Sequence, residues 1–295
     1  MNQEMYAQIR DQKGFIAALD QSGGSTPKAL ALYGVLEDAY TNETEMFDRI
    51  HEMRSRMIKS PAFSSGKVIG AILFERTVAS EIDGKPTAKF LWENQRVVPF
   101  LKVDKGLADE EDGVQLMKPI DNLEEIVKWG VEQGIFGTKM RSVIHDADKD
   151  AITRVVAQQF DFAKTILAGG LIPIVEPEVD IHAKEKDRIE RDLLEAIEAE
   201  LEKLPEGQQV MLKLTIPTMA DRYLPLVEHE KVLRVVALSG GYNRADSCVK
   251  LSENHGVIAS FSRALSEGLT VSMSDEEFDA AMKESIDAIA EASAT

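Results

Sequence analysis

Cysteine occurs once in the 295 residues, as Cys248, so no disulfide framework can form within the chain, which suits a reducing compartment. Positive charge is also short: 34 Lys and Arg stand against 51 Asp and Glu, a net charge of −17. That balance argues against nucleic acid and against anionic membrane surfaces, both of which need clustered cations. Histidine is sparse, and none of His51, His145, His182, His229 and His255 pairs with another at the spacing of a zinc motif, so no metal is expected. No apolar run approaches the roughly 20 residues of a membrane span. The opening stretch MNQEMYAQIRDQKG lacks the apolar centre of a signal peptide. The expectation is a cytoplasmic protein with neither nucleic-acid nor membrane partner; assembly into a homo-oligomer stays open.

What the sequence has is a regular succession of short apolar runs. Hydrophobic residues make up 44%, enough for a sizeable core. Eight runs read as strands: 14–20 (GFIAALD), 67–74 (KVIGAILF), 97–104 (VVPFLKVD), 136–143 (FGTKMRSV), 171–178 (LIPIVEPE), 209–216 (QVMLKLTI), 232–241 (VLRVVALSGG) and 256–265 (GVIASFSRAL). Most are continuously apolar rather than alternating, as parallel strands covered on both faces should be. Helical patterns fill the intervals. The first begins TPKALALYG, with Ser25 or Thr26 as cap and Pro27 in the first turn. Others are expected over 42–59, 122–133, 149–170, 184–204 and 274–292, the last opened by a capping box of Ser274 and Glu277. The heavily charged 184–204 reads as a solvated helix with one buried stripe. Strand and helix alternating eight times in under 300 residues predict an α/β fold, a (β/α)8 TIM barrel spanning 1–295 as a single domain. An open doubly wound sheet is the alternative, but DQSGGS after the first strand is neither G-x-G-x-x-G nor a P-loop.

Chemistry in a barrel sits at the carboxyl ends of the strands. Ionisable residues occupy those ends: Asp20, then Lys102 with Asp104 and Lys105, Lys139 with Arg141, Glu176 with Glu178, Lys213, and Arg263. Any one of them could snorkel or face solvent. As a set they would converge on one barrel mouth, where mutual pairing or an anionic substrate must offset the desolvation of each charge. Lysine without metal or cysteine points to amine nucleophile chemistry on ketones and aldehydes. That chemistry needs the neutral amine, and free lysine, with a pKa of about 10.4, is neutral only about once in a thousand near pH 7.4. Burial and neighbouring cations favour the neutral form. Lys213, mid-strand with Lys139 and Lys102 expected nearby, meets both conditions, and Glu176, Glu178 and Asp20 are candidate proton shuttles. Ser239, Gly240 and Gly241 after the seventh strand, with Arg263 on the eighth, make a phosphate cradle where barrels commonly hold one.

These residues carry a resemblance. AALDQSGGS, LKVDKG, GTKMRSV, PIVEPE, MLKL, LSGG and SFSRAL, in order from about residue 14 to about 267, resemble the successive motifs of the class I, Schiff-base fructose-1,6-bisphosphate aldolases, in their bacterial branch. The resemblance implies a metal-independent and cofactor-free lyase of glycolysis that reversibly cleaves fructose 1,6-bisphosphate to dihydroxyacetone phosphate and glyceraldehyde 3-phosphate. It implies Lys213 as the Schiff-base lysine, Asp20 near the scissile bond, Lys139 beside the ketone carbon, and Glu176 as proton shuttle with Glu178 its neighbour. Lys102 and Asp104 would contact substrate, and Arg141 sits in the motif of Lys139. Ser239, Gly240 and Arg263 would hold the 1-phosphate; Ser22 and Ser25 would lie near the 6-phosphate. Three features depart from the pattern: the sequence ends AEASAT instead of in a tyrosine tail, Ala29 follows Lys28 where an arginine is usual, and Ser262 stands where glycine precedes the phosphate arginine. Two rival readings are a Schiff-base aldolase for another sugar phosphate, such as tagatose 1,6-bisphosphate, and a phosphosugar-binding barrel without turnover.

Overall fold

The computed structural model describes residues 2–22 and 24–295. Eight strands neighbour one another in sequence order, each parallel to the last: β1 (Phe15–Leu19), β2 (Val68–Leu73), β3 (Val98–Lys102), β4 (Gly137–Ile144), β5 (Ile172–Val179), β6 (Val210–Thr215), β7 (Val232–Leu238) and β8 (Ile258–Ala259). The circle closes where Ala18 N–H of β1 donates to the carbonyl of Phe261, just past β8, at 3.0 Å. This is a (β/α)8 barrel. Seven strands begin and end near the expected positions. The eighth is much shorter than the run 256–265: its ladder to β7 comprises only Val236↔Ile258 and Ala237↔Ala259. The chain then bends, and Arg263 opens a short helix, Arg263–Ser266, so it stands beyond the strand and not on it.

Alternation along the strands builds two storeys inside the barrel. The lower one is apolar, with Ile16, Phe100, Ile174, Met211, Val236 and Ile258 meeting there. Two residues further along several of these strands the side chain is charged: Phe100 gives way to Lys102, Ile174 to Glu176, Met211 to Lys213. An N-terminal helix, α1 (Gln3–Asp11), packs Met5 and Ile9 into the apolar storey from below. Its last turn is held by Arg234, whose guanidinium donates to the carbonyls of Arg10 and Gln12 at 2.6 and 3.1 Å. The sequence pattern did not bring out this helix.

The outer layer is α2 (Ser25–Tyr33), α3 (Glu43–Lys59), α4 (Leu123–Glu132), α5 (Lys149–Ala168), α6 (Lys186–Lys203), α7 (Arg244–Leu251) and α8 (Asp275–Ala292). The capping box of Ser274 and Glu277 forms as expected. The cap of α2 does not: Gly24 is its N-cap residue, with no side-chain bond, and Ser25 is already its first helical residue. The Ser25 hydroxyl is instead engaged by the preceding loop, accepting from Ser22 N–H at 3.1 Å and donating to the Ser22 carbonyl at 2.9 Å. In α6 the buried stripe is not purely apolar. Lys186 and Glu190 are buried there as an ion pair, and Glu190 also accepts from Thr218 N–H at 2.9 Å. No helix among the described residues is long and apolar enough to cross a membrane.

Candidate active site

Four of the candidate residues meet at the centre of the charged storey. Glu176 is 2% exposed and lies between two lysines, Oε1 at 3.1 Å from Lys213 Nζ and Oε2 at 2.6 Å from Lys139 Nζ. Lys139 also pairs with Asp20, Nζ to Oδ2 at 3.0 Å. Strand tilt explains the partners. The register mate of Lys139 is Ile174, but in a staggered barrel the residue level with it is two further along β5, which is Glu176. The register Val175↔Leu212 then sets Lys213 beside the same carboxylate.

Two further pairs ring this core. Lys102 Nζ lies 2.6 Å from Asp104 Oδ1 and donates to the Asp104 carbonyl at 3.0 Å. Arg141 Nε lies 2.5 Å from Glu178 Oε2. Four cations (Lys102, Lys139, Arg141, Lys213) thus face four carboxylates (Asp20, Asp104, Glu176, Glu178), and mutual pairing offsets their desolvation. Arg263 at the rim adds a further cation to this set, although the whole chain is strongly negative.

The fields in this cluster are strong. Burial alone would raise Asp20, but Lys139, then Lys213 and Lys102, overrule it and hold the carboxyl well below the usual carboxylate range. Burial alone would lower Lys139, but Asp20, Glu176 and Asp104 hold its ammonium well above the ordinary lysine value. Arg141 is likewise raised: burial is outweighed by Glu178, with help from Glu176 and Asp104. Lys139 and Asp20 are therefore a fixed charge pair throughout the neutral range.

The phosphate candidates lie at the same end. The Ser239 carbonyl accepts from Tyr242 N–H at 3.0 Å, closing a turn over Gly240 and Gly241. Gly240 has φ +62°, and a Cβ there would stand 2.6 Å from Ile181 Cγ2, so no other residue fits without displacement. The Arg263 guanidinium reaches this turn, its Nη2 being 3.7 Å from where a Gly241 Cβ would stand. Ser22 and Ser25 form the turn that opens α2, after β1. The Ser260 hydroxyl, just past β8, is buried without a partner among the described residues.

Several supporting residues were not found from the sequence. Gln159 of α5 is fully buried, and its Oε1 accepts from Glu176 N–H at 2.8 Å. Thr215 clamps β5 to β6, its hydroxyl accepting from Val179 N–H at 2.9 Å and donating to the Val179 carbonyl at 2.7 Å. Arg54 of α3 is 1% exposed and reaches the loop after Asp20. Gln159 and Arg54 sit in helices whose pattern reads as ordinary packing, so only their polar character at inward positions hinted at them.

A parallel barrel whose mouth holds a buried lysine against a shared carboxylate, beside a glycine turn and an arginine, is the arrangement expected of a Schiff-base lyase acting on a phosphorylated substrate. Comparison with known proteins narrows this. The family described as "Glycolytic: Fructose-bisphosphate aldolase class-I" matches residues 3–222. The class 1 fructose-bisphosphate aldolase of Porphyromonas gingivalis is 57% identical over 293 residues, 99% of both chains. That of Synechocystis is 53% identical over 294 residues, covering 100% of this chain and 98% of the relative. A solved fructose-bisphosphate aldolase from Plasmodium falciparum has the same fold, with a TM-score of 0.77 at 20% identity over 98% of this chain and 93% of that one. The chain belongs to the class-I fructose-bisphosphate aldolase family.

Proposed function

We propose that the protein reversibly cleaves fructose 1,6-bisphosphate to dihydroxyacetone phosphate and glyceraldehyde 3-phosphate, in the cytoplasm and as one barrel unit, through an imine on Lys213. The observation that carries this is the contact of Glu176 with both Lys213 and Lys139, at 3.1 and 2.6 Å, in a buried site. The Lys213 amine, after passing a proton to Glu176, attacks the C2 carbonyl, and the carbon–nitrogen bond forms as the carbonyl electrons move to oxygen. Glu176 returns that proton to the oxygen, then relays a second one from the nitrogen to the resulting hydroxyl, so that water leaves and an iminium remains. A base then removes the C4 hydroxyl proton. The C3–C4 bonding electrons flow to the iminium nitrogen, which releases glyceraldehyde 3-phosphate and leaves an enamine. Protonation of the enamine carbon and hydrolysis release dihydroxyacetone phosphate and restore Lys213.

As the base for the C4 hydroxyl, Glu176 is favoured over Asp20. Asp20 has its proton affinity held down by Lys139, Lys213 and Lys102 against the opposing effect of burial, which suits it to orient and stabilise charge more than to carry protons. Lys139, held protonated, stabilises negative charge developing on the substrate oxygen. Lys102 and Arg141 line the approach. Ser239, Gly240, Gly241 and Arg263 take the 1-phosphate, and Ser22 and Ser25 stand near the 6-phosphate. The test is borohydride reduction with dihydroxyacetone phosphate in EDTA, followed by peptide mapping. A stable adduct on Lys213 is expected. An adduct on Lys139 or Lys102 would reverse the assignments, and cleavage abolished by EDTA with no adduct would overturn the mechanism.

A further inference from the structure

One buried cation in the mouth has no place in that mechanism. Arg54 projects from α3, is 1% exposed, and spends its guanidinium on neighbouring protein groups. Among the described residues, every hydrogen-bond partner of its guanidinium is neutral. Nη1 donates to Thr77 Oγ1 at 2.7 Å, and Nη2 donates to the backbone carbonyl and, at 3.3 Å, to the side-chain oxygen of Gln21. Nε has no partner among the described residues. A guanidinium buried without a carboxylate partner is costly, and burial lowers its pKa to about 10 against the pull of Asp20. Departures of this kind concentrate at functional sites.

What those bonds join is specific. Thr77 follows β2, and Gln21 follows Asp20 at the end of β1. Gln21 in turn donates through Nε2 to the Ser262 hydroxyl at 2.5 Å. Ser262 follows β8 and adjoins Arg263, and its hydroxyl is what the glycine of the resembled motif could not supply. The chain Thr77–Arg54–Gln21–Ser262 thus belts the ends of three adjacent strands, β2, β1 and β8. It connects the loop carrying Asp20, Ser22 and Ser25 to the loop carrying Arg263.

We propose that Arg54, acting through Gln21 and Ser262, is a positioning residue that fixes the spacing between the two ends of the substrate site. The inference rests on the aldolase reading above. A three-carbon phosphate that occupies only the Arg263 and Lys213 end does not depend on that spacing. A bisphosphate that spans Arg263 and the Ser22–Ser25 turn does.

The test compares Gln21→Met, Ser262→Ala and Arg54→Lys with the unaltered protein. Borohydride trapping of dihydroxyacetone phosphate on Lys213 reads one end; kcat and KM for fructose 1,6-bisphosphate read both. Trapping rates within about twofold of the unaltered protein, with kcat/KM for the bisphosphate lower by at least about tenfold, are expected, because small misplacements of reacting groups are amplified in rate. If Arg54→Lys does not fold, Gln21→Met and Ser262→Ala decide, since both leave Arg54 in place. Lowered thermal stability with unchanged kcat/KM, or equal losses in trapping and cleavage, would overturn the proposal and leave Arg54 a packing residue. Absence of trapping in the unaltered protein would instead remove the aldolase reading on which it stands.

Discussion

Glu176 is shared between two lysines with opposite duties, lying 3.1 Å from Lys213 and 2.6 Å from Lys139. One must lose its proton to become a nucleophile; the other, pinned by Asp20 as well, is held charged against the effect of burial. A single carboxylate between them accepts a proton from the first without losing the second. Replacing Glu176 by Gln removes the acceptor and keeps the shape. Cleavage should fall by about 10²–10⁴-fold, the usual worth of a positioned acid–base group, and trapping on Lys213 should slow in parallel. Normal trapping with slow cleavage would instead confine Glu176 to the bond-breaking step.

Lys213→Arg separates charge from nucleophilicity. The guanidinium keeps a cation beside Glu176 but cannot form an imine at neutral pH, because its pKa stays above about 12. The borohydride adduct and cleavage should both disappear while binding of inorganic phosphate at the Ser239–Gly241 turn, followed by thermal shift, persists. Residual cleavage above a few per cent would point to a second lysine.

Much of this site was legible because strand alternation is rigid. Spacing by two along LIPIVEPE dictates that Glu176 and Glu178 share the face of Ile174, and the same spacing puts Lys213 above Met211. Which cation meets which carboxylate was not legible. It depends on barrel stagger, a property of all eight strands together, and Lys139 pairs across that stagger instead of along its register. The end of β8 was misread because Phe261, wholly buried, extends the apolar run even though the chain has already turned to bond back to Ala18. The helix α1 escaped because Met5 and Ile9 are only two apolar anchors in a polar stretch.

Asp20 should govern the acid limb of stability. In the unfolded chain its carboxyl takes up a proton near the ordinary value of about 3.9. In the folded protein burial pushes the other way, but Lys139, Lys213 and Lys102 hold it lower. Between those two values the unfolded state binds more protons, so stability falls as pH drops and is fully present above about pH 4. Asp20→Asn should flatten the loss of melting temperature between about pH 4 and pH 2 by up to one proton's worth, about 1.4 kcal/mol per pH unit. Lys139 carries the opposite sign: its contribution is complete below about pH 10 and is lost as pH rises through its raised folded value. Equal acid slopes for the two proteins would show that Asp20 does not carry the coupling.

Gly240→Ala tests the phosphate turn. The new methyl would take a φ of +62° and approach Ile181 Cγ2 to 2.6 Å. The left-handed conformation alone costs roughly 1–2 kcal/mol in a non-glycine residue. A lower melting temperature and a raised KM for the bisphosphate are expected. Adding Ile181→Ala, which removes the clashing atom, should recover part of both. If the double variant is no better than the single, the strain lies in the backbone conformation and not in the contact.

Gln159→Leu probes support for the catalytic carboxylate from outside the barrel. The substitution keeps an α5 side chain of similar bulk but leaves Glu176 N–H, now bonded to Gln159 Oε1 at 2.8 Å, buried without an acceptor. An orphaned buried donor costs about 1–3 kcal/mol, and the melting temperature should fall accordingly. Because β5 would relax to satisfy that group, Glu176 should shift relative to Lys213 and Lys139, with kcat falling more than KM rises. Stability lost with kcat intact would mean that β5 holds Glu176 in place through Thr215 and the ladder to β4 alone.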